Sequence, residues 1–332
     1  MAVTGSGTQA DPFIVTNYTD FMSLSNHVAV EDSSVYIQFF DDEHPNQTIN
    51  CNTYGSEFKW GQFVGKADVT TYINLNGCII KNFLIDSDCT MFYAVGYNDT
   101  MPRWHAAKIE VSNGSIRNVF MASASSKLIN GEVTLRNVSV SMNVAGTTGI
   151  PISGNSTGRP CYIDNCALYL VVSTLYTSLI RYTSMSDTDV ELHVANMNQQ
   201  LVISGCKIVD CRFQGKIAGR VYDVGGHVFV ILAFNYGNGF SGTECEVTNS
   251  VFDMDASGVT ADWNGSEIAF YTVRNQATYN TNIFCNSHGL PEGYHFPNVW
   301  NYMPHEGNDG HNIRNGDWLN SQGFTVVEVV GS

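Results

Sequence analysis

Charged residues are scarce in this chain of 332 residues: Asp, Glu, Lys and Arg make up 14% of it, with 16 basic residues against 31 acidic ones and a formal net charge of −15. No Lys/Arg cluster occurs along it. Gripping a phosphate backbone takes concentrated positive charge, so nucleic acid is excluded as an expected partner, and anionic membrane surfaces are disfavoured on the same ground. No stretch approaches the roughly 18 uninterrupted apolar residues of a membrane span. The start, "MAVTGSGTQADPF", lacks the basic and apolar segments of a secretion signal. The expectation is a chain without membrane anchor or export signal. Missing too are GxSxG, P-loop, HExxH and CxxC patterns, each of which carries a specific chemistry; no cofactor and no enzymatic activity are expected. Long amphipathic helices and strand–helix alternation are also absent, which removes helical bundles and doubly wound α/β folds.

What is present is apolar and uncharged polar material. Hydrophobic residues reach 43%, enough for a continuous core, and the surface is left to Asn, Ser, Thr and Gly. The length suits one elongated β domain as well as two average ones. Nine cysteines (Cys51, Cys78, Cys89, Cys161, Cys166, Cys206, Cys211, Cys245 and Cys285) are an odd number, several inside apolar strand-like runs. Buried thiols made in a reducing cytosol fit this better than a disulfide framework. Asn-x-Ser/Thr sequons such as Asn137-Val138-Ser139 are what chance yields in such a composition.

One short pattern recurs between residues 72 and 255: an apolar alternation, a small or Asn residue, then another apolar alternation. It reads "NGCIIKNFLID" around Asn82, "SNGSIRNVFM" around Asn118, "VTLRNVSVSM" around Asn137, "CYIDNCALYL" around Asn165, "LVISGCKIVDCRFQG" around Gly205 and "CEVTNSVFDM" around Asn249. The spacings of 36, 19, 28, 40 and 44 residues read as one or two turns of about 20 residues with variable insertions. Period-two alternation, as at Val133 and Leu135 or Val247 and Phe252, makes each unit a strand with one buried face. Asn and Gly tolerate positive φ, so the chain turns a corner there. Stacked as parallel rungs, such strands share one apolar column and place small thiols such as Cys78, Cys166, Cys206 and Cys245 where volume is limited. The expected fold is all-β, a single right-handed parallel β-helix. An antiparallel β-sandwich is the alternative, because Asn-Gly hairpin signals occur at Asn76-Gly77, Asn113-Gly114 and Asn130-Gly131.

A solenoid has two open ends, each needing a lid. In "GSGTQADPFIVTNYTDFMSL", Phe13-Ile14-Val15 reads as a strand and Thr16-Asn17 as the cap of a helix with Asp20 in its first turn. Phe21, Leu24 and Val28 are expected on one face of that helix. The organisation is then residues 1–30 as N-terminal helical cap, 31–285 as rungs with inserted loops, and 286–332 as a loop-rich C-terminal cap.

The same opening resembles the glycine-threonine, Asp-Pro-aromatic, "I-V-T-N" start of many parallel β-helix proteins of bacterial surfaces and bacteriophage particles. "DWLNSQGF" at 317–324 resembles their closing segment. The resemblance implies a phage virion structural protein, assembled in the host cytoplasm and displayed on the virion exterior as a capsid decoration, head fibre or tail-fibre or spike-type appendage. It also implies other capsid or tail proteins as partners, and host-surface carbohydrate as a ligand. Homotrimerisation, as in many β-helix spikes, is left open, since an outward apolar flank is not distinguished from an inward one without the rung register. A polysaccharide lyase or hydrolase on the same scaffold, and a bacterial surface adhesin, are the alternatives.

Sugar-cleaving chemistry needs an acid and a base or nucleophile facing one sugar. Adjacent Asp41-Asp42 is the most suggestive pair, yet neighbouring acids ahead of the rungs read better as loop solvation. Glu246, Asp253 and Asp255 around one rung have oxygen ligands of the kind Ca²⁺ takes, with an acidic surface strand as the plainer reading. His295, His305, Glu306, Asp309 and His311 crowd the tail without zinc spacing, so no metal site is expected. Tyr294, Phe296, Trp300, Tyr302 and Trp318 there suit sealing the core, and Gly225-Gly226-His227 reads as a turn. Residues 88–107, with Phe92, Tyr93, Tyr97 and Trp104, read as an inserted recognition loop. Tyr93, Tyr97 and Trp104 are its candidate binding residues.

Overall fold

In the computed structural model, residues 3–94, 106–121, 125–145, 151–154, 160–174, 179–197, 203–204, 206–222, 229–235, 247–262, 268–273 and 281–285 are described. The chain opens with β1 (Phe13–Val15) and α1 (Tyr18–Ser23) and then winds in coils. The first coil holds β2 (Ser34–Phe39), β3 (Thr48–Asn50) and β4 (Phe63–Gly65); the second, β5 (Thr70–Asn74), β6 (Ile79–Ile85) and β7 (Thr90–Ala94). Then come β8 (Lys108–Met121) with β9 (Lys127–Asn130), and β10 (Val133–Val144) with β11 (Ile152–Ser153). The fifth coil holds β12 (Cys161–Asp164), β13 (Ala167–Val172) and β14 (Ile180–Arg181); the sixth, β15 (Thr183–Ser186), β16 (Asp189–Met197) and β17 (Ile203–Ser204). The seventh holds β18 (Lys207–Val209), β19 (Arg212–Tyr222) and β20 (Phe229–Asn235). The last are β21 (Val247–Asp262), β22 (Ile268–Val273) and β23 (Thr281–Cys285).

The strands form a 15-stranded sheet and an 8-stranded sheet. All their pairings are parallel. Antiparallel contact among the described residues is confined to the bridges Thr4–Ile14 and Glu31–Ser34. The antiparallel sandwich is thereby excluded; Asn76-Gly77 lies between successive strands, Asn130-Gly131 where β9 ends, and Asn113-Gly114 at the corner inside β8. The fold is all-β and solenoid-like. The larger sheet bends along its length: β8 pairs with β5 and then β6, β10 with β12 and then β13, and β21 with β18 and then β19.

Period-two alternation produces unbroken buried columns. Ile37, Ile73, Val111, Leu135, Ile163, Met185 and Ile208 are successive register partners, all of them buried. Past the bend the column is Ile80, Ile116, Val140, Leu168, Val190 and Phe213. In the smaller sheet it is Phe63, Phe92, Ile129, Ile152, Ile180 and Ile203. Each such side chain contributes about 1.5–3 kcal/mol on burial, and its partners lie in the coils above and below, so no coil is stable alone.

The bend is set by asparagine. Asn113, Asn137 and Asn165 have φ of 58, 54 and 48°, the left-handed region that Asn tolerates better than other side chains with a Cβ. Their amides stack: Asn165 Nδ2 donates to Asn137 Oδ1 at 2.7 Å, and Asn137 Nδ2 to Asn113 Oδ1 at 3.1 Å. Asp187 and Asp210 repeat the conformation at 47 and 53° in the next coils. The residue after each punctuates the core with a small group: Cys166 and Cys211 are buried, and Thr188, also buried, accepts a hydrogen bond from the Cys166 N–H.

Asn82 and Asn118 also take positive φ, 63 and 52°, but form a separate column. Asn118 Nδ2 donates to Asn82 Oδ1 at 3.0 Å, and Asn82 Nδ2 to Asn50 Oδ1 at 2.8 Å. The 19-residue step from Asn118 to Asn137 is therefore not a coil; it joins two corners. True coil lengths run from 22 residues, between Cys161 and Thr183, to 39, between Cys211 and Ser250. Gly205 lies outside the described residues.

Asn17 caps α1 as expected, its Oδ1 accepting from the Asp20 N–H at 2.9 Å. Phe21 is fully buried, stacked on Phe63 at 4.5 Å and against Phe39 at 5.0 Å. Leu24 is buried beside it in the core. Val28 is a correction: α1 ends at Ser23, so Val28 is off the helix and 59% exposed. β1 already pairs with β2, Phe13 beside Ile37 and Val15 beside Phe39. Residues 286–332, with the His-rich and aromatic tail, lie outside the described residues. No helix among those described is long and apolar enough to cross a membrane.

Candidate functional site

Tyr93 is the one expected binding residue within the described set; Tyr97 and Trp104 fall outside it. It is not on a loop. Residues 90–94 form β7, because Phe92 aligns with Phe63 and Ile129 in the buried column, and alternation then turns its neighbour outward. Tyr93 is half-buried. The loop expectation for Phe92 and Tyr93 is corrected by this register.

Tyr93 begins a row on the smaller sheet that is half-buried at Tyr93, Asn130 and Arg181 and buried at Ser153. It is aligned with Asn130, Asn130 with Ser153, and Ser153 with Arg181. At about 4.8 Å per strand the row spans roughly 14 Å. The Arg181 guanidinium lies 4.5 Å from the centre of the Tyr182 ring, and its Nη2 donates to the Tyr182 hydroxyl at 2.8 Å. Lys127 starts the same short strand that carries Asn130 and is half-buried. Burial, reinforced by the Arg181 charge, holds its ammonium pKa below the usual lysine range. Among the described residues neither Lys127 nor Arg181 has an acidic side chain in ion-pair contact.

The larger sheet carries outward rows. Tyr36 and Tyr72 stack at 4.7 Å. Beyond them Arg136 bridges two carboxylates, Glu110 at 3.4 Å and Asp164 at 3.2 Å. Tyr169 is 42% exposed and lies 5.6 Å from the His193 ring, whose Nε2 is 2.9 Å from Glu191 Oε1. Arg136 thus pairs with anions of the rungs on either side, while His193 and Glu191 pair within one strand beside the Tyr169 ring.

The expected acidic candidates are dispersed. Asp41 Oδ1 sits 2.6 Å from His44 Nδ1, and that hydrogen bond holds the Asp41 carboxyl below the usual range. The Gln38 side chain donates to Asp42 at 2.8 Å. The pair is thus engaged locally at an exposed turn. Asp253 and Asp255 lie on β21; Asp255 is 3.2 Å from the Lys216 ammonium, and Glu246 is outside the described residues, as is Gly225-Gly226-His227. Seven described cysteines are free, six of them buried. Burial pushes the thiols of Cys51, Cys78, Cys161 and Cys211 up to about 12, which makes them poor nucleophiles.

Sequence reasoning passed over Arg181, Tyr182 and Lys127. Their signal was an aromatic residue, Tyr182, at a corner where the residues following Asn130 and Ser153 are Gly131 and Gly154. Searches against family profiles, curated proteins and solved structures return no match for this chain.

Proposed function

We propose that the chain is a bacteriophage virion structural protein displayed on the particle exterior, a capsid decoration, head fibre or tail appendage that contacts host-surface glycans. In this reading it is a right-handed parallel β-helix, closed at its N-terminal end by β1 and α1. The observation that carries the reading is the parallel stack with its outward rows of Asn, Ser, Tyr and paired charges. Such a scaffold is stiff and presents a repeated polar surface. Repetition of the protein on a particle then turns weak single contacts into avidity.

The buried free thiols support assembly in a reducing cytoplasm. Buried Phe21, packed on aromatic residues of both sheets, supports the N-terminal lid. Quantitative mass spectrometry of purified particles tests the proposal. Tens to hundreds of copies per particle are expected; absence from particles contradicts it. Release of reducing ends or unsaturated products from host polysaccharide would replace it with the enzyme reading.

A further inference from the structure

Tyr182 adopts φ of 51°, a conformation uncommon for any residue with a Cβ and a strained one for a bulky side chain. Its counterparts in register at this corner are glycines. Asn130, Ser153 and Arg181 are aligned, so the residues after them, Gly131, Gly154 and Tyr182, occupy the same corner. The backbone is crowded there as well: a Cβ on Gly154 would come within 2.3 Å of the Tyr182 carbonyl oxygen. That oxygen accepts the Cys161 N–H at 3.0 Å. Fold alone favours glycine at position 182.

What the tyrosine adds is control of Arg181. Its ring lies under the guanidinium and its hydroxyl accepts from Nη2, so the arginine is oriented without being neutralised. Arg181 has no acidic partner among the described residues; Lys81 and Arg117, register partners on the larger sheet, also lack one there, so the orientation by Tyr182 is what sets Arg181 apart. Elsewhere on the surface Arg136 has two carboxylates, Lys59 has Asp86 and Lys108 has Glu132. The Asn130 amide and the Tyr93 hydroxyl have no hydrogen-bond partner among the described residues either, and the two are adjacent register partners.

We propose that Arg181, oriented by Tyr182, binds the carboxylate of an acidic sugar, with Asn130 and Tyr93 meeting adjoining sugar rings along the same sheet. A planar guanidinium matches a carboxylate with two parallel hydrogen bonds. The Tyr93 ring supplies an apolar face, and the Asn130 amide both donates and accepts, as sugar hydroxyls require. A single carboxylate, rather than a dense polyanion, fits the acidic surroundings. The inference deepens the glycan contact proposed above and rests on it.

Titration of the full chain with oligosaccharides containing galacturonate, glucuronate or sialic acid, each alongside its methyl ester, tests the site. An acid form is expected to bind about tenfold tighter than its ester, consistent with a lost charge-assisted pair. Arg181→Gln should remove that preference. Tyr182→Gly should weaken acid binding while the melting temperature stays unchanged or rises, a result that a purely structural tyrosine would not give. Equal affinity for acid and ester, or unchanged binding in Arg181→Gln, overturns the site. Displacement of the oligosaccharide by inorganic phosphate at equal concentration overturns its assignment to sugars. Binding of neutral glycans alone also overturns the site but leaves the glycan-contacting surface standing, and the particle copy number is untouched by either result.

Discussion

Replacing Asn137 separates the two jobs its side chain does at the bend. It bridges Asn113 at 3.1 Å and Asn165 at 2.7 Å, and it holds φ at 54°. Hydrogen bonds at an exposed position are worth about 0.5 kcal/mol each, at the low end of the usual range. A left-handed backbone costs alanine about 1–2 kcal/mol. Asn137→Ala should therefore lose about 2–3 kcal/mol, and Asn137→Gly, which keeps the conformation, about 1 kcal/mol. For a chain of 332 residues that difference corresponds to roughly 1.5–3 °C in melting temperature. Thermal and urea unfolding of the two variants beside the parent measure it. Equal destabilisation by alanine and glycine would refute the claim that the bend requires asparagine's conformational tolerance, and no loss in either would refute the ladder as well.

Three further outcomes follow from the packing and the charges. Phe21→Ala should cost about 3–5 kcal/mol by emptying the space between Phe39 and Phe63, read as a lower urea midpoint; a loss below 1 kcal/mol would remove α1 from the core. The Cys161 thiol is raised by burial to about 12, so the folded state holds its proton more tightly than the unfolded one. That stability is complete below about pH 9 and is lost as pH rises toward 12, by about 1.4 kcal/mol per pH unit. Alkaline unfolding, and thiol-reagent resistance below pH 9, check this; rapid labelling of native Cys161 contradicts it. Lys127 has the opposite sign: burial disfavours its charged form, so stability rises as pH climbs through its folded pKa toward 10.5. Lys127→Met should accordingly raise the melting temperature, by a free-energy gain of about 0.5–1 kcal/mol, and a lower melting temperature would contradict the strain assigned to it.

The parallel stack was legible because its two signals are local. Alternation at Val133 and Leu135 marks the buried face, and Asn137 or Asn165 marks the corner. Column membership was not legible. Asn118 and Asn137 look alike in sequence, yet one belongs to the row of Asn82 and the other to the row of Asn113. Only inter-strand register, set across 22 to 39 residues, assigns them. The same register moved Phe92 and Tyr93 from a presumed loop into a strand. Asn17, Asp20 and Phe21 were read correctly because capping and helix periodicity act within a few residues, whereas Val28 lay beyond the helix's end. Arg181 and Tyr182 carried no motif, and their oddity emerged only when Gly131 and Gly154 were aligned with Tyr182.

The proposed exterior placement on a particle is tested most directly by labelling intact virions with an antibody raised against the folded chain. Immunogold electron microscopy of particles from the genome that encodes it should show regular label on undisrupted heads or tails. Label that appears only after disruption, or none on particles that are otherwise complete, would contradict the account.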